Sequence, residues 1–199
     1  MRSVWRTARL NSIGYGIGCS LLSLYLTGCA VNYNNVGVEP TGNAYATKLS
    51  GEQQRSITEL QAAIKALDPS VDPHEAQQVA YQAVVYPMHL SNEYGLVWPP
   101  SLQNVFVNTG RRSRGLCYQW TTDILIHLRK YGHRTLDFHW AIAKRGTRHE
   151  HNTAVVTAKG KPLKTGIILD PWRNSGNLYW LPVTEDQKYD WVLYQPNQH

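Results

Sequence analysis

The 199-residue chain is poor in several things, and each shortage excludes something. It holds only three cysteines, Cys19, Cys29 and Cys117, too few for a disulfide-stapled scaffold. It has no internal repeat and no low-complexity run, which excludes a solenoid. No apolar stretch approaches the ~20 residues that a membrane-spanning helix needs. Its excess of positive charge is thin. The formal net charge is +6, but Arg2, Arg6 and Arg9 fall within the first ten residues, and the other 17 Lys and Arg stand against 14 Asp and Glu. That balance argues against a nucleic-acid partner despite the basic isoelectric point. The one local basic run, Arg111, Arg112 and Arg114, reads as a solvated loop.

What is present begins with targeting. Met1 to Leu10 carries three arginines and no acid, and Ile13 to Leu26 is apolar or small. A basic start followed by a short apolar run is the layout of an export signal. It closes on Leu26-Thr27-Gly28-Cys29, which resembles the lipobox of bacterial lipoproteins. The resemblance implies cleavage before Cys29, a diacylglycerol on its thiol and an acyl chain on its new amine. Several chains anchor stably where a single one is marginal. Ala30, rather than an aspartate, follows the cysteine. By the same resemblance this places the protein in the cell envelope, on the outer membrane facing the periplasm if the organism is Gram-negative. The expected organisation is a signal peptide over 1–28, a lipidated tether over 29–47 and a single domain over 48–199. Cys117 is then the one thiol left in the mature domain, so no internal disulfide is expected.

Periodicity predicts helices first. Ile57, Leu60, Ile64 and Leu67 share a face behind a Ser50/Gln53 capping box. Asp72-Pro73-His74-Glu75 starts a second helix, which Pro87 is expected to end. Ser101 to Asn108 is a candidate short helix, and Leu116 to Tyr131 is a clear one, stopped by Gly132. Leu136, Phe138, Trp140 and Ile142 then alternate as a strand does, and further strands are expected at about 151–158, 165–170 and 189–194. Helices followed by an antiparallel sheet make the fold class α+β.

Three residues suggest chemistry. Cys117 opens its helix just after Gly115, where helix amides favour a thiolate. His151 opens a strand and Asp170 closes the next, so antiparallel pairing would bring them together. The set is a nucleophile, a base and a group that orients the base. In order and type it resembles the transglutaminase-like, papain-related superfamily: Gly115-Leu116-Cys117 opening a helix, a His151-led strand, a hairpin, then Leu169-Asp170-Pro171. The likeness covers about residues 100 to 175. It implies a thiol hydrolase or acyltransferase acting on peptide or amide bonds of proteins or peptidoglycan peptides. No cofactor is implied. Trp98, with the Cys117 backbone N–H, is the candidate donor to the oxyanion.

Other readings stand beside this one. His149 and His151, two apart on one strand, offer the start of a metal site that Cys117 or Asp170 would complete. His139 is an alternative base. Asp170 is otherwise a turn residue before Pro171. Trp120, Trp140, Trp172 and Trp180 read as core or groove lining. Because Asn152 and Thr153 stand where the superfamily often has an aromatic, a domain that keeps the fold for binding or assembly without the chemistry is the alternative function.

Overall fold

A computed structural model describes residues 29–196. The basic start, the apolar run and the residues of the cleavage motif before Cys29 lie outside the described residues. Helices α1 (Gly51–Lys65) and α2 (Pro73–Tyr94) come first, then α3 (Pro100–Asn108) and α4 (Cys117–Arg129). Three short strands, β1 (Cys29–Ala30), β2 (Val36–Val38) and β3 (Ala44–Ala46), precede α1, and β4 (Val97–Trp98) precedes α3. Five more build the main sheet: β5 (Leu136–Ala143), β6 (His151–Ala158), β7 (Ile167–Asp170), β8 (Tyr179–Pro182) and β9 (Val192–Leu193). The sheet is antiparallel throughout, in the order β8-β7-β6-β5-β9. The chain is α+β. Among the described residues no helix is long and apolar enough to cross a membrane.

The first two helices start where the sequence places an acceptor. Ser50 Oγ accepts from the Gln53 N–H, and Gln53 Oε1 accepts from the Ser50 N–H in return. Asp72 Oδ1 accepts from the N–H groups of His74 and Glu75. α2 does not stop at Pro87 but runs on to Tyr94. Proline removes one ladder hydrogen bond, and an interior proline costs ~3 kcal/mol. The offset here is burial, because Pro87, Met88, Leu90, Ser91 and Tyr94 are all inside.

β6 divides the core. Its residues Ala154, Val156 and Ala158 face the helices, packing with Ile124, Leu125 and Leu128 of α4 and with α1 and α2. Val155 faces the other way, into a second core of Ala141, Ala143, Ile168, Tyr189 and Trp191. The sheet is thus covered on one side by helices and on the other by the C-terminal segment. That segment is mostly irregular: of the strand expected at 189–194 only Val192–Leu193 forms, while β8 fills a place that the alternation did not indicate.

Residues 29–47 are not a free tether. Cys29 pairs with Trp98 and Ala30 with Val97, and β2 pairs with β3 as a hairpin. Carboxamides on α2 complete their backbone bonding. Gln82 accepts from the Ala44 N–H at 3.0 Å and donates to its carbonyl at 3.1 Å; Asn92 does the same for Tyr33, at 2.9 Å each way. Polar side chains satisfy this segment, which explains why it carries no apolar period.

On α4, Ile124 is fully buried against the sheet while Ile126 is 65% exposed. Ile124→Ala is expected to lower the unfolding free energy by about 2–5 kcal/mol, and Ile126→Ala to change it by less than about 0.5 kcal/mol. Urea denaturation of the two variants checks this; equal effects would refute the orientation of α4.

Candidate active site

The N-terminal end of α4 is built to leave its amides free. Leu116, the residue before the helix, has no side-chain oxygen, and the first turn holds no acid. Gln119 folds back so that its Oε1 accepts from the N–H groups of Gly115 and Leu116, at 2.8 and 3.0 Å. Among the described residues the N–H of Cys117 has no acceptor, and the thiol itself is half-buried. Gly115 sits at φ +130°, and a Cβ there would fall 2.6 Å from the Gln103 side chain. Gln103 cannot yield, since it is buried and bonded at both ends, accepting from the Val97 N–H and donating to the Arg114 carbonyl. The glycine is what lets α3 and the start of α4 meet.

His151 begins β6 and Asp170 ends β7, as the pairing of Ala154 with Leu169 requires. Continuing that register by one step sets Thr153 opposite Asp170, so His151 and Asp170 become diagonal neighbours on one face. His151 Nε2 and Asp170 Oδ2 are 2.6 Å apart, with exposures of 2% and 1%. This leaves Nδ1 as the ring nitrogen available to the thiol. Cys117 and His151 line the same hollow of about 260 Å³, with Asn104, Trp172 and Tyr189 on its walls. Burial works to lower the His151 pKa, but the charge and hydrogen bond of Asp170, joined by the hydrogen bond and charge of Cys117, raise it to about 9. Three aromatic rings enclose the imidazole, with centroids at 4.8 Å for Trp172, 4.8 Å for Tyr189 and 5.4 Å for Trp191. Their faces suit a cation.

Behind Asp170 stands a charge chain that the sequence did not disclose. Arg173 Nε donates to Asp170 Oδ2 at 2.7 Å, and the same guanidinium grips Asp186. Asp186 also accepts from Trp191 Nε1 at 2.8 Å. Burial would raise the Asp186 pKa, yet the hydrogen bonds from Arg173 and Trp191 hold it below the usual carboxylate value. Asn152 was also missed as a site residue. Trp140 Nε1 donates to its Oδ1 at 2.7 Å, which turns its amide toward Glu150 at 3.2 Å and Cys117 Sγ at 3.9 Å.

Three expectations need correction. Trp98 is not on the walls of the Cys117 hollow; it is 49% exposed on β4, drawn into its pairing with Cys29. His139 is spent on Thr157 Oγ1 at 2.8 Å, and its strand partner Val155 lies four residues along β6 from His151, or roughly 13 Å. His149 precedes β6 and accepts from Arg148 Nε at 3.0 Å, so the two-apart strand geometry with His151 does not arise. Among the described residues no group of three His, Cys, Asp or Glu side chains is placed to hold a metal ion. The basic run is partly structural: Arg114 Nη2 donates to both carboxylate oxygens of Asp123, and Arg112 donates to the Gly95 carbonyl.

Comparison with models of protein families, with characterised proteins and with solved structures finds no match.

The raised His151 pKa has a sign that can be checked. Its stabilising contribution is complete below the unfolded value of 6.5 and is lost as pH rises through about 9. Between pH 6 and pH 9.5 the wild type should lose on the order of 2 kcal/mol more unfolding free energy than Asp170→Asn. Parallel stability profiles for the two proteins would exclude the ion pair.

Proposed function

We propose that the chain is an envelope-anchored thiol hydrolase or acyltransferase, with a transglutaminase-like domain, acting on peptide or amide bonds. The observation that carries this reading is the buried 2.6 Å contact of His151 with Asp170, set beside the half-buried thiol of Cys117 at a helix N-terminus. In this reaction the Cys117 thiolate attacks the carbonyl carbon and forms an S–C bond. The developing oxyanion takes hydrogen bonds from the Cys117 backbone N–H and from the Asn104 amide. Asn104 fits that role better than Trp98, because it lines the hollow and its Oδ1 is fixed by Trp172 Nε1 at 3.2 Å. Collapse breaks the C–N bond, and the His151 imidazolium gives its proton to the departing amine. Water or a second amine then attacks the thioester, His151 takes the proton, and the Cys117 sulfur leaves to restore the free enzyme. Asp170 keeps Nε2 protonated, so that Nδ1 does the transfer.

Cys117→Ala should abolish both turnover and labelling by iodoacetamide. Asp170→Asn should lower kcat by about 10²–10⁴-fold, and Asn104→Ala by about 10²–10³-fold. Full turnover in Cys117→Ala would end this reading in favour of a binding or assembly module.

The anchor belongs to the same proposal. It is supported by the basic start, the apolar run and Leu26-Thr27-Gly28-Cys29, and by the exposure of Cys29. In cells fed labelled palmitate, the wild type should carry label and sediment with membranes. Cys29→Ser should do neither; a labelled Cys29→Ser protein would refute lipidation at this site.

A further inference from the structure

The hollow around Cys117 has an unbalanced wall. Lys144 and Arg148, on the turn between β5 and β6, and Lys188, ahead of β9, all line it. Elsewhere three surface lysines find carboxylates, Lys159 with Asp137, Lys161 with Asp68 and Lys164 with Asp190, while Lys65 and Lys130 end on backbone carbonyls. Among the described residues Lys144, Arg148 and Lys188 make no ion pair. The one carboxylate on the wall is Glu150, which also accepts from the Gly146 N–H at 2.8 Å and from Asn152 Nδ2, so three cations stand against a single acid.

These cations are also held in place. The ammonium groups of Lys144 and Lys188 stand 5.0 and 5.4 Å from the centroid of the same ring, that of Tyr189, which puts them within about 10 Å of each other. Tyr189 in turn packs on His151. Arg148 Nε donates to His149 Nε2 at 3.0 Å. Lys144 takes a left-handed backbone, φ 53°, which a residue with a Cβ adopts at a cost. At low salt like charges this close repel, and a walled cleft concentrates their field. A hollow that gathers cations, leaves them unmatched and opens on the nucleophile is suited to an anion.

We propose that this hollow selects an anionic substrate, a peptide or amide bearing a carboxylate beside the scissile bond. The inference rests on the thiol chemistry proposed above and names its substrate class. A second hollow of about 430 Å³ shares Trp172 and Lys188 with the first and adds Pro100 and Tyr179. It gives the same substrate a largely apolar surface on the other side of Lys188.

The test measures charge selection without requiring turnover. The full chain is treated with methanethiosulfonates bearing either a sulfonate or an ammonium group, and the mixed disulfide on the Cys117 peptide is timed by mass spectrometry. Each rate is divided by that of a free cysteine peptide. At low salt the sulfonate-to-ammonium ratio should exceed that of the free peptide by about tenfold. It should fall toward one in 0.5 M salt and in the K144Q/R148Q/K188Q variant, whose changes are on the surface and outside the triad. A ratio equal to that of the free peptide, or one unmoved by the triple substitution, overturns the inference. Neutral iodoacetamide reports separately on thiol activation. If it modifies Cys117 no faster than free cysteine, the enzyme reading fails, while the charge ratio still decides what the hollow attracts.

Discussion

The site depends on keeping charge inside the protein. Asp170 is almost wholly enclosed, and an isolated carboxylate at such a depth would take up a proton. Here it does not stand alone: His151 meets it on one side and Arg173 on the other. Arg173 needs a second counterion, and Asp186 supplies it. The row then holds two carboxylates and two cations once the imidazole is protonated. Removing one member of such a row strands its neighbour, which is why breaking a buried pair costs ~3–5 kcal/mol. Much of the C-terminal segment can be understood as the enclosure for this row: Tyr189 and Trp191 lie against His151, and Trp191 also bonds Asp186.

The Cys117 sulfur arrives from the opposite layer. Sheet residues facing α4 are small or branched, and Asn152 is the polar one among them at the end nearest Cys117. His151, one residue away, points to the other side of the sheet with Asp170. The sulfur and the imidazole therefore meet over the end of β6 and not through its middle. That arrangement needs the start of α4 to be fixed in height, and the Gly115–Gln103 contact fixes it from α3. Three segments far apart in the chain build the site: the α3–α4 junction supplies the sulfur and the free amides, the β6–β7 pair supplies imidazole and carboxylate, and residues 172–191 close the back.

How much of this was readable follows from which forces are local. Ser50, Asp72 and Gly132 act on their own neighbours, so the starts of α1 and α2 and the end of α4 are visible in the sequence. The meeting of His151 and Asp170 was visible because antiparallel strands joined by a short connection have few registers open to them. Pro87 misled because its local penalty is offset by burial that depends on other elements. Arg173 and Asp186 were hidden, since nothing in a sequence marks which arginine will be enclosed. Asn104 stands on a short helix with no cap hydrogen bond to mark it, and only the fold brings it beside Trp172. The 29–47 segment reads as a tether in sequence because its bonding partners are carboxamides on α2, and polar partners leave no hydrophobic period.

That last feature sets how the protein can work if Cys29 is acylated as proposed. Stretched out, residues 29–47 would reach roughly 60 Å at ~3.3 Å per residue. Paired with Trp98 and clasped by Gln82 and Asn92, they contribute almost no slack. The domain would then ride on the lipid headgroups like a raft instead of swinging on a leash. Its encounters would be confined to a layer about one domain thick, and bonds deeper in the surrounding space would be reached only when their own carriers drift down to the bilayer.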